Sequence, residues 1–128
     1  MSAAEFDDLL ARVTAEAGRF GHREHLRLTW IAVTGHGVPA AIDLVGDGIR
    51  RTARYAGAPQ KYHATVSRAW VEIVGRHAAE AAGPDFDAFL ARCPDLLDKR
   101  LLARHYRSST LASTAARTGW VPPDLRPL

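Results

Sequence analysis

Apolar residues recur along this chain at intervals of three and four positions, and stretches that alternate apolar with polar residues are absent. That spacing belongs to helices with one face turned inward, whereas a half-buried strand would alternate. Phe6, Leu9, Leu10, Val13 and Ala17 mark a first helix that ends near Gly18. Ser2 and Glu5 have the spacing of a capping box, in which two side chains satisfy two free backbone donors at a helix start. A second helix is predicted over residues 22–34, with Leu26, Trp30 and Val33 on its apolar face and Gly35-His36-Gly37 as its stop. The third begins near Pro39, a favoured first-turn residue, and runs to Gly57-Ala58-Pro59. It carries Ala41, Val45, Ile49 and Thr52 inward, with Asp43, Asp47, Arg50 and Arg54 on the opposite side. Val66, Trp70, Ile73 and Val74 predict a fourth helix over residues 62–82, broken by Gly83-Pro84.

The last third of the chain reads as shorter pieces. Asp85 suits the cap of a short helix holding Phe86, Phe89 and Leu90, and a further helix is expected from Pro94 with Leu97, Leu101 and Leu102 inward. Ser108 or Ser109 suits the cap of a last short helix through Arg117. The adjacent Pro122 and Pro123 exclude a helical ending, so residues 120–125 are expected to lie as an extended tail across the bundle, with Arg117 and Asp124 as a candidate pair fastening it. No composition shift, repeat or long linker divides the chain. The expected architecture is all-α: a compact single-domain bundle of about five to seven helices over residues 1–128, ending in an extended Pro-rich tail.

Six histidines bring candidate chemistry into this pattern. His22 and His25 are three positions apart, so their rings share one side of the second helix, which is also the side of Leu26, Thr29 and Val33. If successive helices alternate direction, the second and fourth helices start at the same end of the bundle, which brings His63 toward that pair. His36 and His77 fall at the far end, and His105 is a further candidate because the helix from Pro94 runs back toward the same end. Three neutral imidazoles at a bundle end could hold a divalent transition metal such as Fe, Zn, Cu, Ni or Mn, with a position open to water or substrate. Two nearby helix N-termini favour the neutral rings that ligation needs. The same inward rings could equally serve a metal-free ligand, or be held by carbonyls as structural histidines. Lys61, Tyr62 and Thr65 surround His63 in sequence, so Tyr62, Thr65 and His105 are the candidates for proton transfer or substrate orientation.

Composition narrows the function classes only slightly. A chain of 128 residues, 47% hydrophobic and 24% charged, has enough apolar surface for a core of its own. The net charge of +3 comes with 15 Arg and only 2 Lys, scattered among acids rather than gathered in a block, so a nucleic-acid partner is disfavoured. No apolar run approaches the ~20 residues of a membrane span, and the first residues are acidic rather than basic. The single cysteine, Cys93, precludes an intramolecular disulfide and fits a reducing compartment, so a cytoplasmic location is expected.

The segments Phe20-Gly21-His22-Arg23-Glu24-His25-Leu26, Lys61-Tyr62-His63-Ala64-Thr65 and Ala116 to Asp124 together resemble a group of small bacterial all-helical proteins. These carry the motifs F-x-H-x-x-H-L and K-Y-H-x-T, and the resemblance spans most of the chain. It implies a helical fold and carries no activity or catalytic residue with it. The H-E-x-x-H pattern of zinc proteases is absent, and His25 lacks the Glu three positions earlier that di-iron bundles use.

The leading expectation is therefore a small metalloprotein with His22, His25 and His63 as ligands. It would act on a small organic substrate in bacterial metabolism by oxidative or lyase-type chemistry, with Tyr62, Thr65 or His105 handling protons. The rival is a metal-free small-molecule binding or acid–base protein using the same histidines. A third reading, a helical interaction or nucleic-acid-binding protein using Arg50, Arg51 and Arg54, is weakened by Asp43 and Asp47 on that face. Whether copies of the chain associate is left open.

Overall fold

Two helices with small residues on a shared seam decide how the rest of the chain folds. The computed structural model describes residues 3–81 and 83–128, and among them every regular element is helical. In chain order these are α1 (Ala3–Ala17), α2 (His22–His36), α3 (Val38–Tyr55), α4 (Ala64–Glu80), α5 (Phe86–Arg92), α6 (Ser108–Leu111) and α7 (Thr114–Thr118), with 3-10 turns at Pro59–Lys61, Pro94–Leu97 and Leu101–Arg104. The capping role expected of Ser2 lies outside the described residues, and α4, expected over residues 62–82, runs from Ala64 to Glu80 because His63 caps its start and Ala81 its end.

α3 and α4 pack antiparallel at close range. A Cβ on Gly46, in the middle of α3, would sit 4.0 Å from the Ser67 hydroxyl, and one on Gly75, two turns further along α4, would run into Val38 at the start of α3. Ser67, Val71 and Gly75 recur every four residues and form the small-residue face that permits this approach. The turn from α2 into α3 is a single residue, Gly37, at φ +84° and ψ 164°. That region of backbone space is open essentially to glycine alone, so the sharp corner needs this residue. It follows that α2 reaches α4 as well: Val33 lies beside Gly75 and His22 beside Trp70. These contacts make α2 and α4 run in the same general direction, as short connections predict.

α2 and α4 are consequently apolar on two faces. On one side Leu28, Ala32 and Val33 of α2 and Val71 of α4 pack with Phe6 and Val13 of α1 and Ala41, Leu44 and Val45 of α3. On the other, Leu26, Trp70, Ile73 and Val74 pack with Phe86, Phe89, Leu96, Leu101, Leu102 and Tyr106. Trp30 is only half-buried and lies on this second cluster, with its ring centroid 6.1 Å from that of Phe89. The proline-led helix expected from residue 94 is instead two 3-10 turns, and their tighter winding turns Leu96 inward while Leu97 is 48% exposed. In α3 the buried stripe is Ala41, Leu44, Val45 and Gly48, with Ile49 packed at its edge as expected, whereas Thr52 is exposed and Phe6 packs directly on the Gly48 backbone.

The final ten residues form an extended strap, as the two prolines require. The Tyr106 hydroxyl donates to the Val121 carbonyl at 2.7 Å, Asp124 accepts from the Arg107 amide at 3.0 Å, and Arg68 stacks over the Trp120 ring at 4.2 Å. Arg117 and Asp124 do not form the expected pair: Asp124 caps the Arg107–Thr110 turn, and Arg117 donates to the Gln60 carbonyl.

Two glycines within helices should respond oppositely to alanine. At Gly48 the added methyl meets the Phe6 ring, so Gly48→Ala is expected to lose about 1–2 kcal/mol even after its gain in helix propensity. At Gly35 nothing lies within 4 Å, so Gly35→Ala is expected to gain roughly 0.5 kcal/mol. Urea unfolding of the two variants measures both signs.

Candidate functional site

Five of the six histidines are held by partners of their own, and those partners fix His22 and His63 at different points along α4. His22 opens α2 and its Nε2–H donates to the Leu96 carbonyl at 2.8 Å, while its ring meets the Trp70 indole edge-on with centroids 4.9 Å apart. Trp70 lies two turns inside α4, whereas His63 stands just before that helix. The α2 start therefore faces the middle of α4, roughly 10 Å of helix away from His63. His63 is the N-cap of α4: its Nδ1 accepts the Val66 amide at 3.1 Å, and its Nε2–H donates to the Leu111 carbonyl at 2.7 Å. Both nitrogens are thus engaged by backbone, a full set for a neutral imidazole. Among the described residues no group of three or more His, Cys, Asp or Glu side chains is placed to share a metal ion.

The residues expected to move protons are also distributed by the fold. Thr65 is fully buried, and its hydroxyl donates to the Gly119 carbonyl at 2.7 Å while accepting the Val121 amide at 3.0 Å. One hydroxyl in this way fastens both ends of a tail segment to α4. His105 donates through Nδ1 to the Arg126 carbonyl at 3.0 Å, and its own carbonyl accepts from Leu125 at 2.9 Å, so it too holds the tail. Tyr62 belongs elsewhere: it lines an open groove with Arg50, Arg54 and Arg117, and burial raises its hydroxyl pKa, an effect that Arg50 opposes and Asp47 reinforces.

His77 bonds the Ile73 carbonyl at 2.8 Å and His36 pairs with Glu5. Five of the six rings therefore have a partner. His25 is the exception, since among the described residues its ring makes no hydrogen bond. It is partly buried, and Phe20 stands edge-on to it with centroids 6.5 Å apart. Burial of the ring, and secondarily the neighbouring His22, lowers its pKa to about 4, so it is neutral near pH 7. The turn beneath it is set by Glu24, a buried carboxylate that accepts the Gly21 amide at 2.8 Å and lies 3.4 Å from Arg19. The Gly-x-x-Glu spacing at this helix start was the sequence signal for that half of a capping box. Cys93 is buried and burial raises its thiol pKa, which is the environment of an inert rather than a nucleophilic cysteine.

Comparison with known protein families, with characterised proteins and with solved structures finds no match. Among the described residues no helix is long and apolar enough to cross a membrane.

Two measurements follow from this geometry. Thr65→Val keeps the shape but leaves the Gly119 carbonyl and the Val121 amide unpaired, an expected loss of about 2–3 kcal/mol, with Thr65→Ser largely restoring it. Faster amide exchange at Val121 in the valine variant is the local readout, and unchanged exchange there would show that the clamp does not hold the tail.

The lowered pKa of His25 carries a definite sign. Its folded value, about 4, lies below the value of about 6.5 in an unfolded chain, so between these pH values the unfolded state binds more protons. Stability from this group is complete above pH ~6.5 and is lost as pH falls toward ~4, by up to about 3 kcal/mol. Urea unfolding from pH 7 to pH 4 should show a shallower acid decline in His25→Gln than in the wild type.

Proposed function

We propose that the protein is a metal-free binding protein for a small organic molecule, and that the ligand meets the imidazole of His25. The observation that carries this reading is the contrast among the histidines, in which five rings have protein partners and His25 alone has none among the described residues. A partly buried polar ring without a partner is an unfavourable arrangement that a ligand hydrogen bond would relieve. A neutral imidazole offers one N–H donor and one acceptor nitrogen, which suits an amide, phenol or alcohol. Phe20, 37% exposed, supplies an apolar wall beside it.

Binding is favoured over acid–base catalysis by the same ring. A base whose pKa is about 4 accepts protons poorly at neutral pH, where catalytic pKa values are best matched to the working pH. It is favoured over metal ligation by His63, whose two nitrogens are already engaged by the Leu111 carbonyl and the Val66 amide.

The test is NMR of histidine ring nitrogens during titration with small amides, phenols and alcohols, on protein purified without a histidine tag. A saturable shift confined to His25, absent in His25→Leu and unaffected by His77→Gln, is expected. Fragments that leave the His25 ring unmoved, or stoichiometric metal found by elemental analysis with ring shifts produced by Zn²⁺ alone, would reject the proposal.

A further inference from the structure

Many arginines of this protein are ion-paired, whereas three that share one groove are not. Arg19, Arg23, Arg27, Arg51, Arg68, Arg76 and Arg104 each lie within ion-pair distance of a carboxylate. Arg50, Arg54 and Arg117 do not, among the described residues, and these three line one groove of about 420 Å³. Arg50 and Arg54 are one turn apart on α3, so their side chains emerge from the same wall. Arg117 comes from α7, and its guanidinium donates to the Gln60 carbonyl in the turn before Tyr62, which orients it before any ligand arrives. Tyr62 also lines the groove.

We infer that this groove binds a small phosphomonoester, its phosphate held by Arg50 and Arg54 from one wall and Arg117 from the other, with the Tyr62 phenol donating a further hydrogen bond. Guanidinium forks match phosphate oxygens in pairs, and three of them exceed what one carboxylate would engage. Like charges gathered without carboxylate partners repel one another, and a dianion removes that repulsion. Asp47 is the one acid whose charge is felt at Tyr62, and Arg50 acts on the same phenol in the opposite sense. A phenol is a donor at neutral pH, and burial raises the Tyr62 pKa further. The volume is at the lower end of the range for small-molecule sites and leaves room for an organic group beside the phosphate. The groove contains none of the residues around His25, so the inference stands independently of the ligand proposed there.

Arg51 provides an internal control, because it is also an α3 arginine but turns the other way, pairing with Asp7 at 2.8 Å and lying over the Phe6 ring. The experiment is isothermal titration of the whole chain, in phosphate-free buffer, with phenyl phosphate, inorganic phosphate, benzoate and a short single-stranded oligonucleotide. Phenyl phosphate is expected to bind saturably and more tightly than inorganic phosphate or benzoate. Arg54→Gln and Arg117→Gln should each weaken it by about tenfold, while Arg51→Gln stays within about twofold. All three side chains in the groove are exposed, so circular dichroism should be unchanged in the variants, and Arg54→Gln, which disturbs no internal hydrogen bond, is the decisive one. The inference is overturned by the absence of saturable phenyl phosphate binding, by benzoate or inorganic phosphate binding equally well, or by an equal loss in Arg51→Gln. Preferential binding of the oligonucleotide, weakened alike by all three substitutions, would overturn it in favour of a diffuse nucleic-acid surface.

Discussion

The close antiparallel approach of α3 and α4 is the constraint around which the molecule is arranged. Small residues on α4, Ser67 and Gly75, let α3 approach closely at Gly46 and Val38, most tightly where Gly75 meets the Val38 side chain. With α3 so close on one side, the bulky residues of α4 are confined to the other, where Trp70, Ile73 and Val74 meet α5 and the 3-10 turns. The single-glycine corner at Gly37 then forces α2 into the angle between them, which is why α2 is apolar on two faces. Ser67 carries a cost of this seam: its hydroxyl is the buried side-chain polar atom without a hydrogen-bond partner among the described residues.

Polar side chains in this protein mostly serve backbone groups rather than each other. His22 joins α2 to the turn at Leu96, His63 caps α4 and takes the Leu111 carbonyl, and Thr65, Tyr106 and His105 take backbone groups of the tail. A tail with two prolines and no regular partner has backbone groups that must be satisfied individually, and these side chains do so. This explains how residues with catalytic potential come to occupy structural positions: an extended strap packed on a bundle needs donors and acceptors at fixed points.

Against that background the two candidate sites are defined by what is left over. Among the described residues His25 is the histidine ring without a hydrogen-bond partner, and Arg50, Arg54 and Arg117 gather in one groove outside ion-pair distance of any carboxylate. Opposite electrostatics distinguish them. Desolvation keeps the imidazole uncharged, which suits a neutral hydrogen-bonding ligand, whereas the exposed guanidinium groups retain full charge and suit an anion.

The helices were legible in the sequence because their signals are local. The three- and four-residue spacing of Leu26 and Val33, or of Trp70 and Ile73, depends only on helical geometry, and the stops at Gly37 and Pro84 depend only on backbone sterics. Even the sense of α2 relative to α4 followed from short connections. The offset along the helix axes did not, because it depends on which small residues nest: Gly75 against Val38 and Gly48 against Phe6 slide α4 so that His22 faces Trp70 instead of His63. The 3-10 winding after Pro94 was hidden for the same reason, since packing of Leu96 rather than spacing selects it. Partner choice is tertiary in the strictest sense. The pairing of Arg51 with Asp7 and the turning of Arg117 to Gln60 instead of Asp124 rest on residues far apart in sequence. Local propensity determines where a side chain leaves its helix, and only the packed structure determines what it meets.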